Sequence, residues 1–152
     1  MKVKALKTDN GMEYCNKRFE NYCEKNSILR HKTTTYTPQL NGLAERMNRI
    51  LMEKMRCMLI HSKLPKTFWA EALNTACYLV NRSPSIGIGC KTPIELWSRK
   101  MADYSKFRIF GCKAYAHVKQ GKLEARALIC KFLGYPKGVK AYRLWCVDVK
   151  PP

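Results

Sequence analysis

Two carboxylates in the first third of the chain stand in a pattern compatible with metal-dependent phosphoryl transfer. Asp9 lies in a turn directly after a predicted strand, and Glu45 lies on a predicted helix that follows a loop closed by Gly42. A strand-end aspartate and a helix glutamate can converge on Mg²⁺ or Mn²⁺, hard cations that prefer oxygen ligands. Two such ions stabilise the attacking and leaving oxygens of a phosphoryl transfer. The alternative is a turn aspartate and a surface glutamate paired with Arg49 one helical turn away.

The segment 43–61 has the clearest helical periodicity in the chain and would carry Glu45. At about 100° per residue, Arg49 and Arg56 fall within about 40° of Glu45, which predicts a basic face able to hold a phosphodiester. Six apolar residues form the opposite arc and are predicted to be buried: Leu43, Met47, Ile50, Leu51, Met55 and Met58.

The elements around this helix are predicted from periodicity and turn residues. Strands are predicted at 2–8 and 28–34, and helices at 16–25 and 66–82. Thr92 is predicted to cap a short helical turn that ends at Trp97. The predicted core faces of the two helices are Phe19, Tyr22 and Cys23 in the first, and Phe68, Trp69, Ala72, Leu73, Ala76, Leu79 and Val80 in the second.

The last third of the chain has a different pattern of residue types. Apolar runs at 107–118, 127–135 and 141–147 are separated by turn residues and predict three strands of a small barrel or sheet. We therefore place one domain at 1–98 and a second at 107–152, with the boundary between Ser98 and Lys106.

The net charge of +18 over 152 residues favours a polyanionic partner, with nucleic acid as the first candidate. Residues 98–152 carry +10 against +8 for residues 1–97, so the C-terminal part is the denser basic surface. The alternative is a basic surface that is merely solvated.

The cysteine spacing and the hydropathy of the chain exclude several classes of protein. The eight cysteines form no CxxC pair, which predicts free, buried thiols in a reducing nuclear or cytoplasmic compartment. With three histidines no zinc-finger spacing exists. No apolar run approaches 18 residues and the N-terminus has no signal-peptide pattern, so we expect no membrane partner.

Several short motifs, taken together, resemble the second half of a retroelement integrase core. They are Thr8-Asp-Asn-Gly11, Tyr36-Thr-Pro-Gln39, Asn41-Gly-Leu-Ala-Glu-Arg46, Asn48-Arg49, Leu64-Pro-Lys66, Phe68-Trp-Ala-Glu-Ala72, Asn81-Arg-Ser-Pro84 and Thr92-Pro93. Further motifs resemble copia-type LTR retrotransposon Pol polyproteins of the plant TNT type: Phe110-Gly-Cys112, Phe132-Leu-Gly-Tyr135 and Tyr142-Arg-Leu-Trp145.

The resemblance implies an α/β fold, a partial RNase H-like integrase core without its first strands, followed by a small all-β Src-homology-3-like barrel. It implies a DDE polynucleotidyl transferase that uses Mg²⁺ or Mn²⁺ for DNA strand transfer, with Asp9 and Glu45 as the second and third catalytic, metal-binding carboxylates. The implied DNA-contacting residues are Gln39, Asn41, Asn48, Arg49 and Arg56. The implied partners are element ends, target DNA and further copies of the chain, with no small-molecule substrate.

The family's first catalytic aspartate and its zinc-binding domain have no counterpart in these 152 residues. We therefore expect a fragment that has no strand-transfer activity by itself. Two other hypotheses remain open: a non-catalytic basic nucleic-acid-binding remnant, and an unrelated basic α/β protein.

Overall fold

The computed structural model describes residues 2–8, 11–32, 42–118 and 126–146. The chain forms two compact units, Met1–Ile50 and Leu51–Pro152. The described elements of the first are β1 (Ala5–Thr8), α1 (Lys17–Lys25) and β2 (Leu29–Lys32), and α2 (Gly42–Ser62) begins in it and continues into the second. The second unit then contains α3 (Trp69–Val80), α4 (Pro93–Ser98), β3 (Lys113–His117), β4 (Ala127–Gly134) and β5 (Arg143–Cys146).

In the first unit, β1 and β2 pair in parallel, with Ala5 opposite Leu29 and Thr8 opposite Lys32. Helix α1 forms the crossover between them, and Asn16 caps it by accepting a hydrogen bond from the Phe19 amide at 2.8 Å. Both strands and this helix were predicted. The prediction that Tyr22 faces the core is wrong, because Tyr22 is exposed while Cys23 is buried.

The second unit is built on the contact between α3 and the antiparallel sheet β3-β4-β5. Ala72 and Ala76 are fully buried, and the small side chain of Ala72 packs in one cluster with Met55, Phe110 and Leu133. Larger apolar side chains surround this cluster: Met58 and Leu59 of α2, Leu73 of α3, and Phe68 in the turn before α3. Trp69, predicted to be in the core, is 55% exposed at the first turn of α3.

Strand β4 is the central strand, with Tyr115 opposite Ile129 on one side and Phe132 opposite Leu144 on the other. The pairing with β5 shifts between Phe132 and Gly134, which is a β-bulge at Leu133. The Leu133 carbonyl accepts a hydrogen bond from the Thr75 hydroxyl at 2.7 Å, so the bulge is tied to α3. The described residues form this three-stranded sheet, whereas the strands that would close a barrel are not among them.

Two cysteine predictions are corrected by the structure. Cys130 and Cys146 occupy paired positions on β4 and β5 and form a disulfide, although free thiols were expected. Of the six cysteines outside this disulfide, Cys23 is buried, but Cys15, Cys57 and Cys90 are exposed. The disulfide arises from strand register, which the spacing of cysteines in the sequence does not specify.

The predicted apolar arc of α2 is buried only in its later turns. Met55 is buried and Met58 packs on the core, whereas Leu43 is 81% exposed and Met47 also faces solvent. The prediction fails for the first turns because no described element packs on them. None of the helices among the described residues could cross a membrane.

The predicted domain ranges 1–98 and 107–152 stay predictions. Within the second unit, segments from both sides of that boundary pack together. Phe107 contacts Tyr78 of α3 with ring centroids 6.2 Å apart, and the Arg143 guanidinium donates to the Glu71 carboxylate at 2.8 Å.

Candidate functional site

The carboxyl ends of β1 and β2 lie side by side, because the strands are parallel and in register. Asp9, the predicted second carboxylate, follows β1 directly but lies outside the described residues. Gln39 and Asn41 lie outside them as well. Thr8, the last residue of β1, is buried at 6% exposure, and its hydroxyl oxygen has no hydrogen-bond partner among the residues that the structure describes. The strand therefore ends in a packed position just before the predicted catalytic residue.

An ion-pair network holds β2 against α1 in the same unit. Arg30 donates to the Glu20 carboxylate at 3.3 Å and to the Tyr14 carbonyl at 2.7 Å. Its guanidinium carbon lies 4.9 Å from the centroid of the Phe19 ring. Lys32 donates to the same Glu20 oxygen at 2.9 Å. The hydrogen bond and charge of Lys32, with a smaller contribution from Arg30, lower the pKa of Glu20 below its ordinary value.

Sequence periodicity missed this network. The acidic residue is on α1 and its two cationic partners are on β2, more than nine residues away in sequence. The sequence signal that could have indicated this network is the alternation of cations at Arg30 and Lys32, which places both side chains on one face of the strand.

Glu45 lies in the first turn of α2 and is exposed to solvent. Asn48 and Arg49, three and four residues further along, are also exposed, so these side chains are neighbours on one helical surface. Within the described residues no ion pair joins Glu45 to Arg49, in contrast to the surface-pair alternative. Arg56, later on the same helix, is exposed too.

Among the described residues no group of three acidic, histidine or cysteine side chains could hold a metal ion. Glu45 supplies one hard oxygen donor, which suits Mg²⁺ or Mn²⁺ but does not by itself make a site. The predicted partner donor, Asp9, is the residue outside the described range. The chemistry of the donors therefore fits the predicted metal, while the geometry of the pair remains a prediction.

Sequence comparison places the chain among retroelement proteins. It is 48% identical over 147 residues to the retrovirus-related Pol polyprotein from transposon TNT 1-94 of Nicotiana tabacum, covering 95% of this chain and 11% of that protein. It is also 48% identical over 81 residues to an uncharacterized mitochondrial protein of Arabidopsis thaliana, covering 53% of this chain and 68% of that protein. The chain belongs to the copia-type, retrovirus-related Pol polyprotein family. It spans about a tenth of the tobacco polyprotein, so it corresponds to one segment of such a protein.

The C-terminal sheet has a family match of its own. The family described as retroviral polymerase SH3-like domain matches residues 112–150, which contain β3, β4 and β5. This confirms the predicted Src-homology-3-like class for the end of this Pol segment.

Structural comparison confirms the predicted integrase fold. A chain of the simian T-cell lymphotropic virus intasome, solved by cryo-electron microscopy in complex with PP2A regulatory subunit B56 gamma, superposes with a TM-score of 0.54. The sequence identity is 20%, and the match covers 96% of this chain and 56% of that one. This Pol segment therefore shares the fold of that chain of the intasome structure.

Proposed function

We propose that this Pol segment is part of a retrotransposon integrase and that it binds DNA through the exposed surface of α2 around Glu45. The observation that carries the proposal is the joint exposure of Glu45, Asn48 and Arg49 on one helical turn of a chain from this family. In the complete protein, this surface would contact the DNA strand on which Glu45 acts.

The charges of the chain support a nucleic-acid partner. The 29 basic residues outnumber the 11 acidic ones, and Arg49 has no described carboxylate partner that would neutralise it. A guanidinium presents several N–H donors in a plane and can bind two phosphate oxygens at once. Asn48 adds a neutral donor and acceptor beside it. This combination suits a DNA backbone rather than a small neutral molecule.

The proposed reaction is transfer of a DNA strand by attack of a hydroxyl on a phosphodiester. Glu45 and Asp9 would hold Mg²⁺ or Mn²⁺, and the bound metal would stabilise charge on the oxygens that attack and leave. Arg49 would hold the phosphate backbone one helical turn away from Glu45. Activity of the complete protein, its DNA ends, its target and its self-association belong to this proposal.

The test of DNA binding is the salt dependence of affinity for a duplex, measured by fluorescence anisotropy with the full chain. Each phosphate contact contributes about −0.9 to the slope of log affinity against log salt. Replacing Arg49 and Arg56 by Ala should make the slope shallower by about 1–2 units. The matched control replaces Lys54, an exposed cation on the opposite side of the same helix from Glu45, and Lys91, an exposed cation outside that helix. An equal effect of both double variants would show that only total charge matters.

The metal part of the proposal has a separate readout. Mn²⁺ broadens NMR signals of nearby nuclei, so it should broaden the amide signals around Glu45 selectively in the wild-type chain. Glu45→Gln keeps the size of the side chain but removes the anionic donor, and should abolish the effect. Broadening that survives this substitution would place the ion elsewhere.

The non-catalytic alternative is supported by the net charge of +18, which attracts a polyanion without any metal. A DNA-binding remnant would bind duplex equally well with EDTA or Mg²⁺ and would show no Mn²⁺ effect at Glu45. The two experiments together separate an integrase segment from such a remnant.

A further inference from the structure

A small cleft in the second unit is lined by residues outside α2 and was not predicted from the sequence. It has a volume of about 250 Å³ and is formed by the end of α3, by α4 and by the segment after α4. Its charged lining residues are Arg82, Lys100, Asp103 and Lys106. Three cations against one carboxylate make this a basic concavity.

Arg82 is held in a fixed position at this cleft. Its guanidinium carbon lies 3.5 Å from the centroid of the Tyr78 ring, and one of its terminal nitrogens donates to the Tyr78 carbonyl at 3.2 Å. The Tyr78 ring stacks on Tyr135 at 3.9 Å with an interplanar angle of 11°. Since one ring cannot take both partners on one face, Arg82 and Tyr135 lie on opposite faces of Tyr78. The stack orders the guanidinium before any ligand arrives, and most of its five N–H groups remain available.

The single carboxylate in the lining is already engaged. One oxygen of Asp103 accepts hydrogen bonds from the amide and the hydroxyl of Ser105, at 3.0 and 2.6 Å. The other oxygen pairs with Lys106 at 3.2 Å. Arg82 and Lys100, in contrast, have no carboxylate partner among the described residues. The uncompensated charge of the cleft therefore resides on these two side chains.

Lys100 is placed by a short turn at the end of α4. The Ser98 hydroxyl donates to the Ile94 carbonyl at 2.7 Å and accepts from the Lys100 amide at 3.3 Å. This fixes the backbone of Lys100 while its side chain is exposed. An ordered guanidinium and an exposed ammonium that line one concavity can both donate hydrogen bonds to the oxygens of a phosphate group.

The aromatic rings argue for a phosphate rather than a base. Nucleic-acid bases bind to proteins by stacking on open ring faces. Both faces of Tyr78 are covered, one by Arg82 and one by Tyr135. The cleft thus offers charge and hydrogen-bond donors, without an aromatic surface on which a base could stack.

We infer that the Arg82–Lys100 cleft binds a phosphate group of the DNA backbone, as a second contact separate from the surface of α2. The inference rests on the proposed function for the identity of the nucleic acid. The cleft itself specifies only an anion with phosphate chemistry, so free phosphate is the competing source that the experiment must distinguish.

The experiment uses the full chain, a 20-base-pair duplex and inorganic phosphate as separate probes. Replacing Arg82 and Lys100 by Gln should make the salt slope of duplex binding shallower by about 1–2 units. Over a fourfold change in salt, two lost contacts correspond to about a twelvefold smaller change in affinity. The matched control, Lys91→Gln with Lys137→Gln, removes two exposed cations of the same unit outside the cleft.

Because Arg82 also packs on Tyr78, folding is checked for every variant by the urea midpoint of tryptophan fluorescence. Lys100→Gln alone provides a variant without lost packing and should change the slope by about 1 unit. In the wild-type chain, duplex DNA should shift the amide NMR signals of Arg82 and Lys100, and inorganic phosphate at the same phosphate concentration should not.

The outcomes separate this inference from the proposed function. If only the Arg49/Arg56 variant weakens binding, the proposed function stands and the cleft assignment is overturned. If only the cleft variants weaken binding, the proposal that the cleft binds phosphate is supported and the proposal that α2 binds DNA is refuted. Shifts caused by inorganic phosphate but not by duplex would make the cleft a free-anion site and overturn the assignment. Equal effects of cleft and control variants, or no duplex binding at all, would overturn it too.

Discussion

The hydrogen bond from Thr75 to the bulge in β4 gives a sharp test of how the second unit is held together. Thr75 is 1% exposed, and its hydroxyl is the donor that satisfies the Leu133 carbonyl at 2.7 Å. Thr75→Val keeps the shape of the side chain but removes the donor. The buried carbonyl then loses its side-chain partner, at a cost of about 1–3 kcal/mol.

The chain offers a convenient probe for this measurement. Its three tryptophans, at positions 69, 97 and 145, all lie in the unit Leu51–Pro152, so urea unfolding followed by tryptophan fluorescence reports on that unit. A loss of about 2 kcal/mol lowers the urea midpoint by about 1.3 M when the denaturant slope is about 1.5 kcal/mol per molar.

Two control variants isolate the hydrogen bond. Thr75→Ser keeps the hydroxyl and loses a methyl group, and should cost only about 0.5–1.5 kcal/mol. Thr67→Val makes the same chemical change at an exposed position and should stay within about 0.5 kcal/mol of wild type. The reasoning would be refuted if Thr75→Val were as stable as wild type, or if Thr75→Ser lost more than Thr75→Val.

Three further predictions concern other parts of the structure. Gly111→Ala should lower the stability of the second unit by more than about 2 kcal/mol in urea unfolding, because its φ is +76° and an added Cβ would meet the Ser62 side chain at overlapping distance. Alkylation of the denatured, unreduced chain should label six of the eight cysteines by mass spectrometry; labelling of Cys130 and Cys146 would contradict the disulfide. Glu20→Gln should lower the thermal stability of the first unit, read by far-ultraviolet circular dichroism, above the ordinary Glu pKa of 4.5. Because the folded-state pKa of Glu20 is lowered, its ionised carboxylate stabilises the fold above pH 4.5. This stabilisation is lost as the pH falls through the lower, folded-state pKa, so the difference between variant and wild type should shrink in acid.

Local signals in the sequence predicted most of the helices and strands, but the strand predicted at 107–118 begins only at Lys113. The 3.6-residue periodicity of α2 and α3 and the cap at Thr92 were read correctly, because each depends on residues within a few positions of one another. Thr92 in fact forms a capping box, its hydroxyl accepting from the Glu95 amide at 3.2 Å.

Burial was less predictable, because it depends on what lies opposite a helix. Trp69 and Leu43 fit the apolar stripes of their helices, but no described element packs fully against either. The disulfide between Cys130 and Cys146 depends on strand register, which spacing in the sequence does not determine. Arg82 and Tyr78 are only four residues apart, so their contact could be expected from the sequence. That Tyr135 stacks on the other face of the Tyr78 ring depends on the tertiary fold and could not be predicted.

For the candidate site, the motifs of the sequence were more informative than its periodicity. Spacing alone left Asp9 and Glu45 open to an ordinary surface role, and the resemblance of the combined motifs assigned their roles. The structure adds the exposure of Glu45, Asn48 and Arg49, which the helical wheel had predicted for the two charged residues.

The links between α3 and the C-terminal sheet also determine when the second unit can fold. The Thr75–Leu133 hydrogen bond spans 58 residues and the Arg143–Glu71 ion pair spans 72. Interactions at such separations require long loops to close before they form, and this slows their formation relative to contacts within a helix. During synthesis, α3 therefore emerges from the ribosome long before the strand that covers Ala72 and Ala76. Until β4 and β5 have been translated, this face of α3 is open to chaperones and to premature association with other nascent chains.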